Sequence, residues 1–178
     1  SGAALRAEVQ HQQEALLVDL LKRLIDELRD RAAFEDLQII ELLFFAGRRN
    51  LDVAELLDMD KKAVAGVKFR AIQKLQKYLG EHDPETLKCL DEETADIAVS
   101  RVWREHRLTC LKRSTLGSPL MGVLEDPWNA YTQFHLDVVA CPLCLANLAD
   151  LQAEEEDRSP IDTERLFASS VGFLRKTN

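Results

Sequence analysis

Apolar residues recur every three or four positions along much of this chain, which is the spacing of amphipathic α-helices. The first stripe lies within residues 14–31 and consists of Leu17, Leu20, Leu21, Leu24 and Leu28. The second lies within residues 34–46 and consists of Leu37, Ile40, Leu43 and Phe44. Gly47 follows it and suits a left-handed helix cap. No strand-like alternation of apolar and polar residues persists anywhere, so we predict an all-α fold.

The next segment, residues 51–79, has the pattern of a helix-turn-helix. Asn50 is expected to cap a short helix over residues 51–57, and Asp60 to cap a long helix from Lys61 to about residue 79. Asp58 stands in the turn between them, where Asp tolerates the left-handed conformation better than most residues do. Together these features predict two helices that cross at a fixed angle.

Two helices that meet at a tight turn need small or apolar side chains where their backbones approach. Ala54 supplies the small residue at the crossing. The expected shared core consists of Val53, Leu57, Met59, Val64 and Val67. Ala71 and Leu75 continue the inward stripe of the second helix.

The rest of the chain is also predicted to be mainly helical. Helices are expected over residues 85–90, 92–106, 128–139, 144–155 and 160–176. The second of these is expected to bury Ile97, Val102 and Trp103. We divide the chain into a helix-turn-helix domain (1–80), a helical connector (81–99), a Cys/His domain (100–152) and an acidic linker with a C-terminal helix (153–178).

Positive charge is concentrated in one part of an acidic chain. The net charge is −8, yet residues 61–80 contain six Lys and Arg residues and no Asp or Glu. Because a phosphate backbone is attracted to such a segment and repelled by the remainder, this pattern indicates nucleic-acid binding. The expected DNA-binding residues are Lys61, Lys62, Ala65, Lys68, Arg70 and Lys74. The alternative is an ordinary helical hairpin whose basic face is only solvated.

Residues 14–79 resemble the promoter-binding region four of bacterial sigma factors of the extracytoplasmic-function type. The stretch VAELLDMDKKAVAGVKFRAIQKL carries this resemblance, including the Arg70-Ala71 step. The resemblance implies recognition of the upstream promoter element and docking on the β-subunit flap of RNA polymerase. Region two of that family, which melts the promoter, has no counterpart here, so this chain alone is not expected to start transcription.

Four cysteine and histidine residues form a second informative set. Zinc prefers four nitrogen and sulfur donors in a tetrahedron, and a CxxC pair at the start of a helix supplies two thiolates. Cys141 and Cys144 form that pair, and His135 precedes it. Cys110 is the expected fourth donor, with His106 as its substitute. We therefore predict a zinc site.

The stretch CLKRSTLGSPLMGVLEDPWNAYTQFHLDVVACPLCLANLADL, residues 110–151, resembles the zinc-binding anti-sigma fold. That family typically has three residues between the histidine and the first cysteine, whereas here residues 136–140 make five. The longer spacing is either absorbed in a loop or reflects a fold that persists without metal. Two further interpretations remain open for the cysteines: buried apolar side chains, or a redox CxxC.

Other features narrow the class of protein. No membrane-spanning stretch or signal peptide is recognisable, so a cytoplasmic location is expected. No nucleophile elbow or phosphate-binding loop is present, so an enzyme is not expected. We predict a transcription regulator whose acidic C-terminal part contacts the helix-turn-helix domain and tunes its access to DNA. The alternatives are a protein-interaction module that no longer reads DNA, and a thiol- or metal-sensing regulator.

Overall fold

The computed structural model describes residues 2–83, 92–117 and 126–158. These residues form only α-helices and the turns between them, which confirms the predicted all-α class. The helices are α1 (Gly2–Asp30), α2 (Phe34–Phe44), α3 (Asn50–Leu56), α4 (Lys61–His82), α5 (Glu92–His106), α6 (Arg113–Gly117), α7 (Asp126–Asp137) and α8 (Pro142–Arg158). The predicted helices over residues 85–90 and 160–176, and Cys89, lie outside the described residues.

The first two helices form as their apolar stripes predict. Leu20, Leu21, Leu24 and Leu28 of α1 are buried, and Leu17 is half-buried. In α2 all four residues of the predicted stripe are buried. Gly47 has φ +66°, so the left-handed conformation expected after α2 is present. A side chain at this position would be strained, because L-residues rarely adopt that conformation.

Helices α3 and α4 pack on each other across a short turn. Val53, Ala54 and Val64 are buried where they meet. Asp58 has φ +52°, the left-handed conformation expected in the turn. The Asp60 carboxylate accepts a hydrogen bond from the backbone N–H of Lys62 at 2.6 Å, which confirms it as the cap of α4.

The cap predicted for α3 is wrong by one residue. Asn50 is already the first residue of the helix, and Arg49 occupies the capping position. The Asp52 carboxylate accepts hydrogen bonds from the Arg49 backbone N–H and guanidinium at 3.3 and 2.9 Å. The contacts between Arg49 and Asp52 therefore cap the first turn of α3, whereas the prediction placed this cap at the Asn50 side chain.

The prediction for α5 is partly wrong. Val102 and Trp103 are buried as expected, but Ile97 is 65% exposed. The buried stripe of α5 instead begins with Ala95 and Val99. Ile97 lies on a different face of the helix, because residues two apart do not share a face. Trp103 stacks on Phe44 of α2, with 6.0 Å between ring centroids.

Residues from both predicted domains contribute to one hydrophobic core. All eight helices supply at least one buried side chain to it. Helix α5 packs on α1 and α2, and α7 packs on α2. The two parts of the chain are therefore in contact, while the boundaries near residues 80 and 100 stay predictions.

Within the described ranges, no single helix is both long and apolar enough to cross a membrane. Residues 127–137 and 142–157 reach that length and composition only when taken together, and these two segments meet at 109°.

Candidate functional site

The four predicted metal ligands come together in the folded chain. Cys110 lies between α5 and α6, His135 lies in the last turn of α7, and Cys141 and Cys144 lie at the start of α8. Their ligand atoms all lie within 4.8 Å of one another. The site therefore joins three separate stretches of the C-terminal half.

Local backbone geometry explains how the five residues between His135 and Cys141 are accommodated. The backbone N–H groups of Val138 and Val139 both donate to the carbonyl of Phe134, which closes the end of α7. Ala140 then adopts the left-handed conformation, with φ +51°, and reverses the chain. The extra length is thus absorbed in the loop. Helix α8 starts at Pro142, two residues before the predicted start, because proline suits the first helical position.

The distances within the cluster suit a tetrahedral metal site. Cys110 Sγ and Cys141 Sγ are 3.5 Å apart, and His135 Nε2 lies 3.3 Å from Cys144 Sγ. Thiolates bound to zinc at about 2.3 Å would be separated by about 3.8 Å in a tetrahedron. The backbone N–H of Leu111 donates to Cys144 Sγ at 3.3 Å, so this sulfur has a further partner. Cys110, Cys141 and Cys144 are thiols rather than disulfide partners. These four residues could hold a metal ion, and the donor set is compatible with zinc.

The pKa values of Cys144 and His135 are shifted in opposite directions from their ordinary values. The hydrogen bond from Cys110, together with that from His135, lowers the pKa of the Cys144 thiol to about 4, against the opposing effect of burial. Burial lowers the pKa of His135, but hydrogen bonds to Cys144 and Glu41 outweigh it and raise that pKa to about 10. The hydrogen bond to Cys144 and burial raise the pKa of Cys110. This shift favours the thiolate form of Cys144, which is the form that binds metals.

Two residues of this site are missing from the prediction. The Glu41 carboxylate, fully buried in α2, lies 2.7 Å from His135 Nδ1 through Oε1. Its Oε2 accepts a hydrogen bond from the Tyr131 hydroxyl at 3.0 Å. A signal for Glu41 exists in the sequence, since it is a single carboxylate inside the apolar run IIELLFF. Its partners, however, lie 90 and 94 residues further along the chain.

The remaining histidines take no part in this cluster. His106, the predicted substitute ligand, is exposed and lies 2.7 Å from Glu14 of α1 through its Nε2. His11 and His82 are exposed. Cys110 is therefore the fourth member of the cluster, as first expected.

The predicted DNA-binding residues fall into two groups. Lys61 and Lys62 are exposed in the first turn of α4, and Ala65 on the next turn is half-buried. The other three are each ion-paired with a different helix. Lys68 pairs with Asp96 of α5, Arg70 lies 3.7 Å from Asp36 of α2, and Lys74 pairs with Glu27 of α1.

Comparison with protein-family models, with curated proteins and with solved structures gives no match.

Proposed function

We propose that this chain is a helix-turn-helix regulator of transcription, similar to sigma region four, with a zinc centre in its C-terminal half. The observation that carries the proposal is the position of Lys61 and Lys62. Both lie exposed at the N-terminal end of α4, directly after the turn that joins it to α3, in which Asp58 has φ +52°. This end of a recognition helix is the part that meets DNA in such motifs.

Two exposed ammonium groups lie at this end of α4, and both attract a phosphate. The backbone N–H of Lys62 is already bonded to the Asp60 carboxylate, so the attraction depends on the side chains. Lys61 and Lys62 are thus the primary phosphate contacts of the proposed interface. Ala65 allows close approach to the groove but offers no hydrogen bond to a base.

The ion pairs of Lys68, Arg70 and Lys74 limit the interface in this conformation. Each pair places a carboxylate beside a cation that would otherwise attract phosphate. One of these carboxylates, Asp96, belongs to α5 in the C-terminal half of the chain. The proposed role of this half is therefore to tune access of DNA to α4 through such contacts. All three pairs are at least partly exposed to water, which weakens them, so DNA phosphates can compete for these cations.

Zinc is the proposed metal of the Cys/His cluster. Three cysteines and one histidine form a closed donor set that is typical of structural zinc sites. When bound, zinc would link the loop before α6, the end of α7 and the start of α8. It would thereby stabilise the fold of the C-terminal half.

A protein-interaction role is the second candidate, favoured by exposed apolar side chains on the helix-turn-helix. Leu51 and Leu56 of α3 and Phe69 of α4 are 46%, 52% and 55% exposed. Such side chains suit a protein partner, and the resemblance to region four suggests the β-subunit flap of RNA polymerase. This surface either accompanies DNA binding or replaces it.

The test is a double substitution, Lys61→Ala with Lys62→Ala, in the full chain. Binding to a short mixed-sequence DNA duplex is measured at several salt concentrations. If two phosphate contacts are lost, affinity should fall and the slope of log K against log salt should become shallower by about 2. The matched control is Lys22→Ala with Lys112→Ala, which removes the same charge from exposed positions on α1 and before α6.

Each outcome separates the two candidates. DNA binding requires that the control retains the affinity and salt slope of the parent chain. Equal losses in both variants would mean that only overall charge matters. No DNA binding by the parent chain at low salt would leave the protein-interaction role.

A further inference from the structure

We infer that Glu41 is the positioning residue of the metal centre and that it couples metal binding to the helix-turn-helix bundle. This inference rests on the proposed zinc site. Glu41 belongs to α2, whereas all four proposed ligands belong to residues 110–144. A residue from the N-terminal half therefore orients a ligand in the C-terminal half.

The contact geometry fixes the orientation of the His135 ring. Glu41 Oε1 lies 2.7 Å from His135 Nδ1, and a carboxylate only accepts hydrogen bonds. An ionised Glu41 pairs with the tautomer whose Nδ1 carries the proton, and Nε2 lies on the side of the sulfur atoms, 3.3 Å from Cys144 Sγ. Histidine ligands of metals are commonly held by a carboxylate in this manner. Phe45, the residue directly after α2, lies against the same ring, with 6.3 Å between ring centroids.

Burial makes Glu41 dependent on these contacts. Its side chain and that of His135 are both fully buried. A buried carboxylate is costly unless its oxygens have hydrogen-bond partners, and here both oxygens do. Since both partners belong to α7, separation of α7 from α2 would leave Glu41 unpaired. The pairing therefore favours the docked arrangement of the two helices.

The same contacts connect the site to the proposed DNA-binding helix. Helix α2 packs on α4 and α3 as well as on α7. A metal ion that fixes His135 would also restrict Glu41 and hence α2. Metal occupancy is thus expected to stabilise the helix-turn-helix bundle from a distance.

The experiment compares the zinc affinity of the full-length parent chain with that of Glu41→Gln, using competition with a chromophoric chelator. Glutamine keeps the shape but removes the charge-assisted hydrogen bond. Changes to such supporting residues typically weaken metal binding by about 10- to 100-fold, and we expect a loss in this range. The absorption bands of Co²⁺ bound in place of zinc should shift as well, because the ligand field depends on the His135 ring. Glu35→Gln is the matched control, an exposed carboxylate on the same helix, and it should change neither quantity.

A second measurement keeps the inference testable if Glu41→Gln does not fold. Amide hydrogen exchange of α2 in the parent chain should slow when zinc is added. Tyr131→Phe, which removes only the other hydrogen bond to Glu41, should weaken zinc binding by a smaller factor. A zinc affinity of Glu41→Gln within about twofold of the parent value would overturn the inference. Amide hydrogen exchange in α2 that is the same with and without zinc would also overturn it. A parent chain that binds no zinc would instead overturn the proposed metal site.

Discussion

The ammonium group of Lys68 on α4 is ion-paired with Oδ2 of Asp96 on α5, and within the described residues Asp96 Oδ1 is buried without a hydrogen-bond partner. A residue of the proposed DNA-binding helix is thus held by α5. Both side chains are about 30% exposed, so the contact lies at the edge of the structure rather than in its core. A partly exposed pair of this kind contributes little to stability.

Asp96→Asn should increase DNA affinity. The substitution frees Lys68 for a phosphate and removes a negative charge near the DNA. We expect a gain of about 3- to 10-fold at low salt and a steeper salt dependence by up to about one unit. The measurement is DNA binding by fluorescence anisotropy over a salt series. Asp19→Asn, at an exposed position of α1, changes the net charge equally and should have a smaller effect. An equal gain in both variants would show that the Lys68 pair does not limit access.

Metal removal should lower the thermal stability of the chain. Free zinc at 100-fold its dissociation constant stabilises a native state by about 2.7 kcal/mol. For a chain of this length that corresponds to a change in Tm of about 5 to 10 °C. We expect a chelator to lower the Tm of the parent chain by this amount, measured by circular dichroism. Cys144→Ser should have a low Tm with or without chelator. A parent Tm that the chelator leaves unchanged would argue against a structural metal.

Trp103 should be among the most important residues for stability. It is fully buried, stacks on Phe44 and donates a hydrogen bond from Nε1 to the Thr109 hydroxyl at 3.0 Å. Trp103→Ala should lower the free energy of unfolding by about 3 to 5 kcal/mol, measured by urea denaturation.

Ile97→Ala on the same helix is the control for that substitution. Because Ile97 is 65% exposed, it should change stability by less than about 0.5 kcal/mol. Similar losses in the two variants would mean that α5 packs in another orientation.

Glu27 should contribute to stability only above acidic pH. Hydrogen bonds from Lys74 and Tyr78, both on α4, lower the pKa of Glu27 below its ordinary value of 4.5. A carboxyl group whose pKa is lower in the folded state stabilises the fold above its ordinary pKa. That contribution is lost as the pH falls through the lowered value.

The variant Glu27→Gln tests this contribution. It should be less stable than the parent near neutral pH by less than about 1 kcal/mol, because the carboxyl is partly exposed. Urea denaturation at several pH values should show this difference shrinking as the pH is lowered past the ordinary pKa. Asp30→Asn, at an exposed position of α1, should show no such trend. A difference that is constant with pH would contradict the assignment.

Local patterns were sufficient for much of the fold. The stripes of α1 and α2, the cap at Asp60 and the turn at Asp58 follow from interactions within a few residues, and the structure confirms them. The four members of the Cys/His cluster were also predictable, because two of them form a CxxC pair and the donors are few. These features depend on residue type and spacing rather than on tertiary contacts.

Tertiary contacts explain what the sequence did not reveal. Ile97 has the polarity of a core residue, but α5 packs on α1 and α2 through the face that carries Val99 and Val102. The contact of Glu41 with His135 could not be predicted, because it depends on the packing of α2 against α7. The intramolecular partners of Lys68, Arg70 and Lys74 likewise come from three other helices. No periodicity within α4 distinguishes these cations from Lys61 and Lys62.

Zinc content is the most direct measurement on the proposed metal centre, on which the coupling through Glu41 depends. The full chain should be purified without added metal, and its zinc should be determined by elemental mass spectrometry beside the variant Cys144→Ser. We predict about one zinc ion per parent chain, as a single closed four-ligand site requires, and almost none in the variant. A folded parent chain that carries no zinc, and takes up none when Zn²⁺ is supplied, would contradict the metal centre.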